Sequence, residues 1–184
     1  MNVHEARLQA EHEAMQKFRS RVVTWEAVGT SDPPDTYKIT YRLRSVVKFN
    51  GDTPIYRSQH QAEIYLPPNY PRCPPTVNMI SKPYVLHPNI YNSGRVCIED
   101  RWKPVGMYLD TICELVGQLI AYQKMNLRSP ANRDQVLMTW VEANRHDFTV
   151  IPTDSAQIRL PQVENVIVWG SEEDVPLPRI QWKR

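Results

Sequence analysis

The sequence predicts an α+β domain in which one helix leads into a four-stranded antiparallel meander sheet and further helices follow the sheet. Apolar residues at helical spacing along residues 3–18 indicate the first helix. Short segments that alternate apolar and polar residues, separated by turn formers, indicate strands that follow one another along the chain. A length of 184 residues and a hydrophobic content of 41% are sufficient for one domain with a substantial core.

Four segments have the pattern of the predicted strands. Residues 37–44 alternate cleanly between apolar and polar side chains, as a strand with one solvated face does. Asn50-Gly51 is a strong hairpin signal, because both residue types accept the backbone angles of a tight turn. The predicted strands are residues 22–28, 37–44, 56–66 and 76–80.

Two helices are predicted beyond the sheet. Residues 108–123 place apolar side chains three and four positions apart, and Cys113 lies on this stripe, so its thiol is expected to be buried and inert. Residues 133–148 form the second predicted helix. Its expected inward-facing residues are Val136, Leu137, Trp140 and Val141. Residues 1–150 are therefore assigned to one domain, and residues 151–184 to an extension that adds a strand or docks a partner.

Composition argues against several classes of function. A net charge of +2 is too small to indicate a nucleic-acid partner, and no apolar run reaches the 18 residues of a membrane span. The N-terminal residues lack the apolar stretch of a secretory signal. The three cysteines, Cys73, Cys97 and Cys113, lack paired spacing, which favours a reducing cytoplasm over a disulfide framework or a zinc site. No metal and no cofactor is expected.

The segment from His87 to Cys97 carries the predicted chemistry. Pro88 fixes its backbone angle and residues 92–94 are turn formers, so the chain is expected to reverse and to bring Cys97 back beside Asn89. A thiol beside an amide N–H donor suits acyl transfer, because the sulfur can carry the acyl group while the donor stabilises the oxyanion.

Asn89 lies eight residues before Cys97, and this His-Pro-Asn-to-cysteine segment resembles that of the ubiquitin-conjugating (E2) enzymes. Two further motifs support the resemblance, a Tyr-Pro-x-x-Pro-Pro loop at residues 70–75 and a Trp-x-Pro at residues 102–104. The resemblance covers about residues 1–148 and implies the UBC-like fold. Arg72 stands in the loop where the family, which uses part of this surface for ligases, often has an aromatic residue.

The resemblance implies that Cys97 accepts a ubiquitin-like protein from an E1-like activating enzyme as a thioester. A lysine amine, or another nucleophile of a target protein, then attacks that thioester. Asn89 is either the oxyanion donor or a residue whose amide holds the loop through backbone hydrogen bonds. At the position of His87, the family uses the histidine to order the surrounding loop rather than as a base.

Several residues are candidates to support the second step. A lysine has a reference pKa of about 10.4, so its amine must lose a proton before attack. Glu99, Asp100 and Ser129 are the candidates to assist, and the sequence does not choose among them. The aspartate that many family members carry near the thiol is absent, and Ser129 is the only match. Trp102 is expected to be first a packing residue.

Two other functions are compatible with the same residues. A cysteine hydrolase would use Cys97, His87 and Asn89 as nucleophile, base and orienting residue, although neighbours this close rarely serve one imidazole ring. Such an enzyme would turn over thioesters without an E1 partner. A non-catalytic binding module would resemble the E2 variants that lack the cysteine, and the presence of Cys97 argues against it.

Four features depart from the usual eukaryotic pattern. They are Arg72, the short link between Cys97 and Trp102, the missing aspartate near Ser129, and residues 151–184. They are more similar to E2-like proteins of prokaryotic conjugation systems, which travel with an E1-like protein, a ubiquitin-like modifier and a JAB-type protease, some in antiviral defence. A divergent prokaryotic E2-like member, with a role in such a system, is therefore a further expectation.

Overall fold

An antiparallel sheet and the helices that pack on it form the main body of the structure. The computed structural model describes residues 2–98, 101–145 and 157–160. Within them the chain forms α1 (Val3–Lys17), β1 (Val23–Val28), β2 (Thr36–Tyr41), β3 (Ser45–Asn50), β4 (Thr53–Arg57), β5 (His60–Tyr65), β6 (Thr76–Met79), α2 (Leu109–Ile120) and α3 (Gln135–Asn144). The four-stranded sheet has the order β1-β2-β5-β6, and each neighbouring pair is antiparallel. The predicted α+β architecture is confirmed.

The hairpin in the middle of the sheet differs from its prediction. The predicted strand 37–44 ends early, since β2 stops at Tyr41, and the predicted strand 56–66 is broken between β4 and β5. The inner half of the hairpin forms β2 and β5, while the outer half forms the separate pair β3 and β4, and β3 lies outside the predicted strands. The Asn50-Gly51 turn is confirmed at the tip of this outer pair. The outer half bends away because it packs on α3. The apolar cluster between them contains Val46, Phe49, Tyr56, Leu137 and Trp140.

The main core lies between one face of the sheet and the helices α1 and α2. Strand β2 presents Tyr37, Ile39 and Tyr41 to this core, and all three are fully buried, whereas the residues between them are partly exposed. Ile39 lies opposite Ala62 of β5, which is buried on the same face. The alternation in the sequence of β2 thus corresponds to one buried and one solvated face.

A buried carboxylate joins α1 to two distant parts of the domain. Glu11 accepts hydrogen bonds from Arg7 Nε (2.6 Å), the Tyr70 hydroxyl (2.5 Å) and the backbone N–H of Leu109 (2.5 Å). Leu109 begins α2, where a carboxylate also interacts favourably with the helix dipole. Burial raises the pKa of the Glu11 carboxyl, and the three donors oppose that rise. Because Tyr70 belongs to the Tyr-Pro-x-x-Pro-Pro motif, Glu11 fixes that loop on both helices.

Helix α2 passes through the core and is shorter than predicted at both ends. Its apolar stripe is buried and includes Cys113, so the prediction of a buried thiol is confirmed. Burial raises the pKa of the Cys113 thiol well above its ordinary value. The Tyr41 hydroxyl donates to the Cys113 carbonyl oxygen at 3.2 Å, which ties α2 to the sheet. None of the described helices is both long and apolar enough to cross a membrane.

Residues 157–160 return to the domain and complete the core between α1 and α2. Ile158 is 3% exposed and packs on α2 at Gly117, where an added Cβ would lie 2.8 Å from Ile158 Cγ2. The Leu160 N–H donates to the carbonyl oxygen of Arg19 just beyond α1, at 2.9 Å. Glycine at 117 therefore makes room for a side chain that comes from the predicted extension.

Arg159 adds an electrostatic contact beside this apolar one. Its guanidinium forms ion pairs with Asp110 at 2.8 Å and with Glu114 at 3.0 Å, both on α2, and it lies over the ring of Phe18. The remaining residues of the predicted extension, 151–156 and 161–184, lie outside the described residues. The division of the chain at residue 150 stays a prediction.

Helix α3 lies inside the predicted helix 133–148, whose residues 146–148 are outside the described part of the chain. Asp134 caps the helix by accepting the Leu137 N–H at 2.9 Å, which explains the late start. Leu137, Trp140 and Val141 are buried as predicted. The prediction that Val136 faces inward is wrong, since it is 42% exposed. Val136 lies in the first turn, where it lines a surface groove beside the β3–β4 turn.

Candidate active site

The segment that follows β6 reverses and pairs again with that strand. Gly94 sits in the turn with φ +90°, a backbone angle that favours glycine. Beyond the turn, the Val96 N–H donates to the Val77 carbonyl oxygen and the Cys97 N–H donates to the Asn89 carbonyl oxygen, each at 2.9 Å. The predicted return of the chain to Asn89 is therefore confirmed for the backbone.

Cys97 is partly exposed between two buried neighbours. Val96 and Ile98 are each 1% exposed and belong to the main core. Because successive side chains of an extended segment point to opposite sides, burial of these two residues turns Cys97 outward. Cys97 is thus partly exposed while its backbone is anchored, an arrangement compatible with a side chain that carries an acyl group.

The carboxamide of Asn89 is bound to the backbone of a distant loop. Its Nδ2 donates to the Asn126 carbonyl oxygen at 2.9 Å, and its Oδ1 accepts the Asn126 N–H at 2.7 Å. Asn89 is 4% exposed, so these bonds are shielded from water. Of the two roles left open for Asn89, the structure displays the loop-holding one. A carboxamide has two N–H donors, and Asn126 uses one of them.

His87 is fully buried, and both of its ring nitrogens have partners. Nδ1 accepts the Asn89 N–H at 3.0 Å, so Nε2 carries the proton and donates to the Lys124 carbonyl oxygen at 3.1 Å. The ring meets that of Tyr122 edge to face, with 4.7 Å between centroids. Burial lowers the pKa of His87 to about 3, and the positive charge of Arg101 contributes to this shift. A neutral imidazole whose two nitrogens are both hydrogen-bonded holds a loop in place and is a poor general base.

Tyr122 is a structural residue that the sequence patterns did not indicate. It follows α2 with φ +55°, a backbone angle that costs a bulky side chain roughly 1–2 kcal/mol. Its hydroxyl donates to the Leu86 carbonyl oxygen, and its ring packs on Trp140 as well as on His87. These contacts compensate for the backbone strain. They also direct the chain so that Lys124 reaches His87.

The remaining predicted residues divide into three groups. Trp102 packs on the ring of Tyr70, with 5.3 Å between centroids. Ser129 is exposed in the loop beyond Asn126. Glu99 and Asp100 lie outside the described residues, so the choice among the three candidate assisting groups stays a prediction. Among the described residues, no cluster of three potential ligands could hold a metal ion.

Known proteins match this chain over most of the domain. The family model for the ubiquitin-conjugating enzyme matches residues 7–151. The chain is 30% identical over 98 residues to the ubiquitin-conjugating enzyme E2 pex4 of Dictyostelium discoideum, a match that covers 51% of this chain and 62% of that protein. It is 34% identical over 87 residues to the NEDD8-conjugating enzyme UBC12 of Yarrowia lipolytica, covering 46% of this chain and 45% of that protein. The match thus spans less than two thirds of either relative.

A solved structure shows the same fold. The crystal structure of the ubiquitin conjugating enzyme E2 from Plasmodium falciparum superposes with a TM-score of 0.50 at 20% sequence identity. The superposition covers 62% of this chain and 96% of that protein. The predicted UBC-like fold is confirmed.

Proposed function

Because the chain belongs to the ubiquitin-conjugating enzyme family, we propose that it is an E2-type acyltransferase that works through Cys97. An E1-like activating enzyme delivers a ubiquitin-like modifier, which Cys97 carries as a thioester and passes to an amine, or another nucleophile, of a target protein. One observation carries the proposal. The Cys97 side chain is partly exposed, while its backbone is bound to Asn89 within loops that buried hydrogen bonds hold together.

Charging is an exchange between two thiols. The Cys97 thiolate attacks the carbonyl carbon of the modifier's thioester with the activating enzyme, a new thioester forms, and the thiolate of the activating enzyme leaves. An ordinary cysteine pKa of about 8.5 leaves a few per cent thiolate at neutral pH, which is sufficient for this exchange. No strong base is required at this step, in agreement with the absence of a basic imidazole at His87.

Transfer requires a deprotonated amine. The amine attacks the same carbonyl carbon, the Cys97 thiolate leaves, and an amide bond forms. We assign the second Nδ2 N–H of Asn89 to the oxyanion of this step, since Asn126 occupies only the first. In the proposed reaction Glu99 or Asp100 accepts the proton of the amine, or Ser129 assists by accepting a hydrogen bond from the amine while the proton passes to water.

The test is a charging assay with a candidate activating enzyme, a candidate modifier and ATP, read on a non-reducing gel. We expect a mass shift that reductant removes and that is absent in Cys97→Ala. Cys73→Ser is the matched control, because Cys73 is the other partly exposed thiol, and it should charge normally. Charging that persists in Cys97→Ala would refute the proposal.

The alternative functions make different predictions in the same assay. A hydrolase would release the modifier without an activating enzyme. His87 argues against a hydrolase, because it is buried and both of its ring nitrogens are already hydrogen-bonded. A binding module would retain its function in Cys97→Ser. A stable thioester on Cys97 that forms only when the activating enzyme and ATP are present is inconsistent with both.

The biological setting is a separate part of the proposal. The four departures named above support a place in a prokaryotic conjugation system, with an E1-like protein and a JAB-type protease, and a cytoplasmic location with a role in antiviral defence. Genes for these partners beside the gene for this chain would support that setting. Neighbouring genes of unrelated function would count against it.

A further inference from the structure

We propose that the loops around Cys97 select acceptor lysines that are flanked by acidic residues, and that four basic residues make this selection. The inference rests on the proposed function, since it concerns the acceptor of the thioester. The four residues are Arg101, Lys124, Arg128 and Arg133, and we call them the basic rim.

Backbone hydrogen bonds place each member of the basic rim beside the candidate site. Arg101 donates its N–H to the Ile98 carbonyl oxygen, one residue beyond Cys97, at 2.9 Å. The carbonyl oxygen of Lys124 is the partner of His87, at 3.1 Å. The Arg128 N–H donates to the Asn126 side chain at 3.1 Å, in the loop that holds Asn89.

Arg133 completes the basic rim on the same side. It follows Asn132, whose N–H donates to the Pro88 carbonyl oxygen at 2.9 Å. Lys124, Arg128 and Arg133 are exposed, and Arg101 is partly exposed. All four charges therefore project from backbone that is packed against residues 87–98.

Acidic residues of the described chain do not neutralise the basic rim. None of the ion pairs formed among the described residues includes a rim side chain. The carboxylate of Asp134, next to Arg133, is engaged as the cap of α3. Even with Glu99 and Asp100 counted, residues 95–104 and 124–134 contain six basic and three acidic residues. Their net charge of +3 exceeds the +2 of the whole chain, so positive charge is concentrated here.

A pocket between two rim residues and α2 is suited to a carboxylate. Arg101 and Lys124 line a pocket of about 230 Å³ together with Thr111, Glu114 and Gln118. Glu114 is already engaged, since it forms an ion pair with Arg159 at 3.0 Å and accepts from Gln118 at 3.3 Å. Among the described residues, Arg101 and Lys124 are thus the lining charges that form no ion pair. A guanidinium binds a carboxylate through paired hydrogen bonds.

The basic rim has two effects on an incoming lysine. Neighbouring positive charges lower the pKa of its amine, which increases the fraction that can attack the thioester. The same charges repel the ammonium form, so an isolated lysine approaches poorly. Acidic residues beside the lysine pair with the basic rim and reverse that repulsion, so a lysine with acidic flanks docks at the thioester more often. Two or three exposed ion pairs of ordinary strength support roughly a tenfold preference for acidic flanks.

The experiment separates charging from transfer. The chain is charged with activating enzyme, modifier and ATP, ATP is removed, and peptides with one lysine are added. Their flanking residues are Glu, Gln or Arg in otherwise identical sequences. We expect loss of the thioester and formation of the amide to be roughly tenfold faster with Glu than with Gln flanks, and slowest with Arg flanks. Added salt should reduce the preference.

Two double charge-reversal variants test whether the basic rim causes the preference for Glu-flanked peptides. Arg101→Glu with Lys124→Glu should abolish the preference for Glu flanks and favour Arg flanks. Arg128→Glu with Arg133→Glu should shift the preference in the same direction. Both of these positions are exposed, so this variant keeps the test valid if the first variant misfolds. Arg42→Glu is the control, because Arg42 is exposed beyond β2, two strands away from β6. It should leave the preference unchanged.

The possible results are distinct. If no thioester forms, both the proposed function and this inference fail. If the thioester forms but Glu- and Gln-flanked peptides react equally, only the inference fails. A preference that survives both charge reversals, or variants that slow charging while leaving peptide preference unchanged, would likewise overturn it.

Discussion

Gly117→Ala is expected to lower the stability of the native chain, and replacing Ile158 with alanine should remove or reverse that loss. In the native chain a Cβ at position 117 lies 2.8 Å from Ile158 Cγ2 and 3.4 Å from Tyr41 Cε1. Favourable carbon–carbon contacts are at about 3.5–4.0 Å, so the new methyl group must displace Ile158. Such overpacking costs about 1–3 kcal/mol of unfolding free energy, of which the helix propensity of alanine returns at most about 1 kcal/mol.

The same methyl group meets no such obstacle once Ile158 is replaced. Ile158→Ala alone should lower the free energy of unfolding by about 2–5 kcal/mol, because the residue is buried. In that background only the ordinary contact with Tyr41 remains, and Gly117→Ala should become neutral or stabilising by up to about 1 kcal/mol. The coupling between the two positions is then about 1–3 kcal/mol.

Urea unfolding of the native chain, both single variants and the double variant measures this coupling. Val136→Ala, at an exposed site in α3, is the control and should change stability by less than about 0.5 kcal/mol. If Gly117→Ala stabilised the chain equally in both backgrounds, residues 157–160 would not be seated on α2 in solution. Ile158 would then not belong to the core.

Three further predictions concern buried polar groups. Asn89→Ala removes both hydrogen bonds to Asn126 and should lower the unfolding free energy by about 1–3 kcal/mol, measured by urea unfolding. Unchanged stability together with slower transfer would indicate that Asn89 acts at the oxyanion alone. His60, the first residue of β5, is fully buried, as His87 is. Burial lowers the pKa of His87 to about 3 and that of His60 to about 4, so the unfolded chain binds more protons below about pH 6.5. The two neutral histidines therefore contribute fully to the free energy of unfolding above about pH 6.5, and this contribution is lost as the pH falls toward their folded-state pKa values. Urea unfolding at pH 5.5 should show an unfolding free energy lower by about 1 kcal/mol for each histidine than at pH 7.5. Equal stability at the two pH values would contradict the burial of the two rings. Glu11→Gln places an amide among three donors and should cost about 3–5 kcal/mol, seen as a lowered Tm, whereas an unchanged Tm would show that the carboxylate network is absent in solution.

Periodic elements could be predicted because a single buried face leaves a pattern in the sequence. Strand β2 alternates, and its buried residues are the apolar ones. Helix α2 carries an apolar stripe, and Cys113 was placed correctly on it. The same reasoning failed for Val136, because a position on the apolar side of the first helical turn is buried only if another element covers it.

The bend in the hairpin depends on contacts that lie far apart in the sequence. Residues 37–66 read as one long hairpin, and local pattern does not show that the outer half packs on α3. Glu11 is another example. A charged residue in a helix is normally solvated, and only the arrival of Tyr70 and Leu109 makes burial of its carboxylate possible.

The candidate site could be predicted where it is local. Turn formers between Asn89 and Cys97 fix the return of the chain, and this is confirmed. The partners of His87 and Asn89 are 37 residues away, at Lys124 and Asn126, and no motif marks them. The left-handed backbone at Tyr122, which brings those partners into place, is rare for such a residue and leaves no signal in composition.

The burial of Ile158 against α2 also affects how the chain folds during its synthesis on the ribosome. Leu160 bonds to Arg19 and Ile158 fills a space beside α2, so segments from nearly opposite ends of the domain meet in one core. A nascent chain that has not yet exposed residues 157–160 leaves that apolar space open. Because long-range contacts close late, the domain should become protease-resistant only after this segment has emerged, and shorter nascent chains should depend more on chaperones.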